Sequence, residues 1–242
     1  MENFREKLVE ELASRGIKEA VLEMADYYIY NQKVEELDKE KSEKTTQYLI
    51  KLAENNDKDA MVSLGGMYYG GRGVHQSYKE AVKWYEKAAE KLDEYGLCYL
   101  GYCYYYGRDI DIDYEKAYLC FSHSAFLENS NAMFKLGDMY FNGFHVEENK
   151  EAAFFWYNKS YTNAVSKYEK SSIAYRLGRC YLYGYGVKQN LLKALKKLQI
   201  AEKGFFALII DYDDEHAEIV IKDVRKELDK VRNILYNMYK IE

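Results

Sequence analysis

A Leu-Gly pair followed by tyrosine four residues after the Leu and by glycine seven after it occurs four times, at Leu64-Gly65, Leu100-Gly101, Leu136-Gly137 and Leu177-Gly178, spaced by 36, 36 and 41 residues. A period of that length is the mark of one supersecondary unit copied along the chain, none of which can bury its apolar face without its neighbours. Ala60, Gly96 and Ala132 stand four before the Leu, with Ile173 the exception, and Tyr68, Tyr104, Tyr140 and Tyr181 stand four after it. Offsets of four lie on one face of a helix. Zero prolines in 242 residues agree with stacked helices and disagree with a loop-rich fold, which uses proline at its turns.

The punctuation repeats as well. Gly71, Gly107, Gly143 and Gly184 close the first helix of each unit, where glycine takes the left-handed conformation without a Cβ clash. Val74, Ile110, Val146 and Val187 follow, and three residues later come Ser77, Asp113, Asn149 and Asn190. These four share one property, a side-chain oxygen able to cap a helix N-terminus. The second helix then carries Ala81, Ala117, Ala153 and Ala194 at a constant offset, with Trp84-Tyr85 and Trp156-Tyr157 behind two of them.

The run Ala60-x-x-x-Leu64-Gly65-x-x-Tyr68-x-x-Gly71-x-Gly73-Val74, continued by Lys79-Glu80-Ala81-x-x-Trp84-Tyr85-x-Lys87-Ala88-Ala89, resembles the Sel1-like repeat family, relatives of the tetratricopeptide repeat. The resemblance spans about residues 60–202. The proline common after the Val is replaced by His75, Asp111, Glu147 and Lys188, and the second turn glycine by Asp109 and His145, changes expected to loosen turns and leave the fold. The expected fold is all-α, a right-handed α-solenoid of about five helix-turn-helix repeats with helical caps, forming a single domain over 1–242. Its segments are an N-terminal helix at 1–16, a degenerate repeat at 17–55, repeats at 56–91, 92–127, 128–163 and 169–203, and capping helices at 204–242. In the degenerate unit, Ala20, Met24-Ala25 and Tyr28 match the first helix, with a charged turn expected from Asn31 to Ser42. Phe205 to Asp211 reads as a further first helix without its turn, and Ile219, Val220, Val224, Leu228, Val231, Leu235 and Met238 as the stripe of a capping helix.

Stacking consumes the Leu face and leaves a concave wall of successive first helices, where recognition is expected. Positions five and two before the Leu, and two and five after it, point roughly away from it. They hold Asp59, Val62, Gly66 and Tyr69; Tyr95, Cys98, Tyr102 and Tyr105; Asn131, Phe134, Asp138 and Phe141; and Ser172, Tyr175, Arg179 and Leu182. From these, Tyr69, Tyr95, Tyr102, Tyr105, Phe134, Asp138, Phe141, Tyr175 and Arg179 are the expected partner-binding residues. Tyr69, Tyr105, Phe141 and Leu182, always large, read equally well as packing between units. Tyr102, Asp138 and Arg179 vary in size and charge at one offset, as ligand contacts do.

No catalytic constellation stands out. The formal net charge of −5 disfavours duplex nucleic acid as a partner. No run approaches a membrane span, and the start, Met1 to Lys7, lacks the apolar core of a secretory signal, so a cytoplasmic location is expected. Cys103 and Cys180 fill the slot of Met67 and Met139, and Cys120 that of Trp84 and Trp156, which makes them core thiols. Cys98 and Cys103 diverge by ~140° on one helix, unsuited to sharing a zinc ion with Cys120 and His123. The glycines at 70–73 and 184–186 occupy turn positions with no preceding strand, unlike a phosphate loop. Neither a cofactor nor a metal is expected.

The resemblance implies a non-enzymatic adaptor or scaffold, most often bacterial, holding a protein or peptide partner in its concave groove. Alternatives are an immunity or regulatory partner of a toxin or effector, and a β-lactamase-like hydrolase, although the cysteine pattern of such relatives and a Ser-x-x-Lys are missing from this sequence. RNA binding is a third, through the basic fourth repeat, where nine lysines and arginines between Lys167 and Lys203 meet only Glu169 and Glu202.

Overall fold

The computed structural model describes residues 2–30, 38–212 and 214–240, and among them it holds twelve helices and no strand. The chain divides into two compact units, Met1–Ser124 and Ala125–Glu242.

The first unit runs α1 (Glu2–Ser14), α2 (Lys18–Tyr30), α3 (Lys39–Glu54), α4 (Lys58–Gly70), α5 (Tyr78–Glu90), α6 (Glu94–Tyr106) and most of α7 (Tyr114–Phe126). The second holds α8 (Ser130–Asn142), α9 (Lys150–Asn163), α10 (Lys167–Tyr183), α11 (Leu191–Tyr212) and α12 (Glu215–Tyr239). The hairpins α4–α5, α6–α7, α8–α9 and α10–α11 are the four repeats read from the sequence.

Each hairpin is closed by the same three devices. Gly71, Gly107, Gly143 and Gly184 all sit at positive φ behind the first helix. The capping residue then accepts from the backbone three positions on: Ser77 from Glu80, Asp113 from Lys116, Asn149 from Ala152 and Asn190 from Lys193, at 2.8–3.2 Å. Its own N–H donates back across the turn, as from Ser77 to the Tyr68 carbonyl and from Asn149 to that of Tyr140. Asp109 and His145 keep the positive φ of the glycines they replace, so the turn conformation survives the substitution. Glycine is retained where space demands it, since a Cβ on Gly186 would lie 1.9 Å from the Lys150 carbonyl oxygen.

The Leu-Gly pair does two jobs. Leu64, Leu136 and Leu177 are fully enclosed, a burial worth about 2 kcal/mol each. The glycine beside each lets the second helix approach: a Cβ on Gly65, Gly101, Gly137 or Gly178 would lie 2.2–2.8 Å from Tyr85, Phe121, Tyr157 or Leu198.

Two boundaries differ from the sequence reading. The charged turn expected up to Ser42 ends earlier, because Asp38 accepts from Lys41 N–H and starts α3 at Lys39; residues 31–37 lie outside the described residues. Phe205 to Asp211 is not a new helix. It continues α11, since nothing before it caps a helix, and Gly204 lies inside α11 where a Cβ would meet the Ser171 hydroxyl.

Candidate recognition groove

In the first unit a groove of about 620 Å³ crosses α2, α4 and α6. Each helix contributes one stripe at helical spacing: Leu22, Asp26 and Ile29; Asp59, Val62, Gly66 and Tyr69; Tyr95, Tyr99 and Tyr102. Gly66 forms part of the floor, where a Cβ would come within 3.2 Å of Ile29 Cδ1. Tyr102 is held edge-on against the buried Phe121, ring centroids 5.4 Å apart, and Tyr99 tilts on Tyr85 at 5.3 Å. Tyr69 meets Tyr78 at 5.0 Å, and burial pushes its hydroxyl pKa up. Tyr95 is half exposed. The walls are therefore aromatic surfaces fixed from behind and open in front, the kind of contact area that binding hot spots use.

Three carboxylates border the groove. Asp59 pairs with Lys18 at 2.7 Å, and Lys18, bonded to both Asp57 and Asp59, is raised well above an ordinary lysine pKa. Asp93 accepts from the Tyr95 and Gly96 N–H groups as the α6 cap and pairs with Lys58 at 3.1 Å. Asp26 is exposed and makes no ion pair or hydrogen bond among the described residues, and desolvation by the groove wall around it pushes its carboxyl pKa up.

Thus Tyr69, Tyr95 and Tyr102 come together, whereas Tyr105 packs among Tyr106, Tyr114 and Phe121 away from the lining, and Cys98 is buried. The α2 contribution is missing from the sequence reading. Its signal was present, because the wall offsets counted from Met24 give Leu22, Asp26 and Ile29.

The second unit uses the corresponding faces differently. Asp138 is buried, and its Oδ1 accepts from Tyr157 Oη at 2.8 Å and Arg176 Nε at 3.0 Å, with Lys135 Nζ 3.7 Å from Oδ2. Burial, reinforced by Asp138, drives the Tyr157 hydroxyl far above its usual range. Phe134 lies against Tyr157 and Phe141 against Tyr185, with Lys150 Nζ over the Phe141 ring. Tyr175 and Arg179 line a cleft between α10 and α12. There Arg179 Nε stands 3.9 Å from Glu227 Oε1, and Glu227 accepts from Tyr183 Oη at 2.6 Å. Leu182 is enclosed. Within the basic segment, Lys167 pairs with Asp211 at 3.5 Å and Lys197 is half-buried over the Tyr161 ring, which lowers its pKa to about 8 through desolvation.

Burial raises the thiols of Cys103 to about 12, Cys120 to about 11 and Cys180 to about 12, so they stay protonated and poorly nucleophilic at neutral pH. Among the described residues no group of three His, Cys, Asp or Glu side chains is arranged to hold a metal ion. No described helix is long and apolar enough to cross a membrane.

The Sel1 repeat family model matches residues 58–91, 95–125, 130–164 and 172–200. No curated protein matches the chain. Among solved structures, a Sel1 repeat protein from Oxalobacter formigenes aligns with a TM-score of 0.64 at 23% identity, over 90% of this chain and 87% of that one. The protective antigen c5321 of uropathogenic Escherichia coli, which displays an SLR fold, aligns with a TM-score of 0.64 at 22% identity, over 92% of this chain and 48% of its own.

Proposed function

The chain belongs to the Sel1 repeat family, whose members generally mediate protein–protein interaction on a non-enzymatic α-solenoid scaffold, and from that premise we propose that it is an adaptor that binds a segment of a partner protein on the face formed by α2, α4 and α6. The groove across those helices carries the reading, because it combines fixed aromatic walls with an opening of about 620 Å³, within the size range of sites that take side chains of a ligand. Tyr69, Tyr95 and Tyr102 are the proposed contacts. Asp138 has its charge taken up inside the second unit and is not among them.

The test is a photoreactive phenylalanine analogue placed at Tyr95 in the native host, with Lys79, exposed on α5, as the control position. The reading expects a discrete covalent adduct from position 95 that disappears in the Tyr102→Ala background. Adducts from position 79 and none from position 95 would place recognition on the second helices and overturn it.

A further inference from the structure

We propose that the groove of the first unit takes a partner segment anchored by a lysine or arginine side chain flanked by apolar residues. This rests on the reading that the groove is the recognition surface, and adds the chemistry of what enters it.

The argument starts from which charges are already answered. Asp59 has Lys18, and Asp93 has Lys58 together with two backbone N–H groups. Asp26 has neither ion pair nor hydrogen bond among the described residues, yet it stands on the groove wall between Leu22 and Ile29. Asp26 is solvent-exposed in the free groove, but a cation seated between the α2 and α6 walls would displace water from around it, and in the lower local dielectric that results the pair gains more than it would in bulk solvent. Desolvation by the surrounding groove wall pushes its pKa upward, with no cation beside it to pull it down.

The walls fit the rest of such a side chain. Lysine and arginine lay their methylene stems along apolar surface while the head reaches a polar group, and Leu22, Ile29 and Val62 supply that surface. Tyr99 and Tyr102 add aromatic rings to the lining, and a cation is attracted to the face of such a ring. An acidic segment would instead bring its carboxylate toward Asp26, and the cation it needs in this groove is confined to Arg72, adjoining Gly70 beyond the end of α4.

The test is selection of random dodecapeptides displayed on phage against the intact chain, with synthetic versions of the enriched sequences titrated calorimetrically. Enriched sequences are expected to carry Lys or Arg between apolar residues, and their Kd should rise about tenfold on Asp26→Asn. Replacing the peptide's basic residue by glutamine should weaken binding to the wild-type chain but add little on Asp26→Asn. That variant should keep or raise Tm: a carboxyl whose folded pKa lies above its unfolded one costs stability once pH exceeds the unfolded value, and asparagine removes that cost. Peptides weakened by Tyr95→Ala that lack a basic residue, or that bind Asp26→Asn undiminished, would overturn the anchor and leave the groove reading standing. Peptides indifferent to both substitutions, or no enrichment at all, would overturn both.

Discussion

One residue before and two residues after the repeat leucine, the first unit carries Ser63 with Gly66 and Tyr99 with Tyr102, whereas the second carries Lys135 with Asp138 and Arg176 with Arg179. In the first unit these positions line an open groove. In the second, Asp138 joins Lys135, Arg176 and Tyr157 in an internal network, whereas Arg179 lines the cleft against α12, 3.9 Å from Glu227 and with no hydrogen bond at its Nε. Periodicity fixes where a side chain stands. Its neighbours decide whether it is left over for a ligand, because a buried charge must be paired before it can do anything else.

The sharpest way to break this contrast is to remove Asp138. Asp138→Ala would leave Arg176 and Lys135 without their carboxylate and the Tyr157 hydroxyl without an acceptor, and should cost about 3–5 kcal/mol in urea denaturation. A loss of under ~0.5 kcal/mol would instead mark Asp138 as an idle surface group.

Behind the contrasting faces, the two units are built alike. Gly65→Ala and Gly137→Ala would drive a methyl group to 2.2 Å from Tyr85 and 2.5 Å from Tyr157, so each should lower stability by about 1–3 kcal/mol. A neutral result in one unit alone would show that the shared hairpin packing is not shared.

Smaller in size is the turn between hairpins, where Leu92 and Glu128 both hold positive φ. Leu92 is 69% exposed, so Leu92→Gly should raise stability by about 0.5–1 kcal/mol in thermal melts through relief of the left-handed strain. Glu128→Gly should gain nothing, because it also removes the contacts of Glu128 with Lys159 and Asn163. Least of all, Tyr95→Ala should move Tm by the equivalent of no more than ~0.5 kcal/mol, since the ring is half exposed. A large drop would return Tyr95 to the core.

The hairpins were legible because their determinants are local: a glycine at positive φ, a capping oxygen three residues before the N–H it accepts from, and a glycine that admits an aromatic ring. The start of α3 and the continuity of α11 were less so, since Asp38 is one acid among many charged residues and Gly204 carries no sign in sequence that it lies mid-helix against Ser171. Of the wall, the offsets located Tyr69, Tyr95 and Tyr102, but not the pairing of Asp138 with Arg176, 38 residues away along the chain and set by how α8 meets α10. Asp26 was reachable by counting from Met24, though the degenerate unit hides the Leu-Gly mark from which the count begins.

The most direct measurement is a crystal structure of the intact chain with a peptide selected on it. The account predicts the peptide lying across Leu22, Gly66 and Tyr102, with the Asp138–Arg176 pair intact beneath a bare surface. A peptide seated on Phe134 and Phe141, with Asp138 released from Arg176 to meet it, would contradict the account.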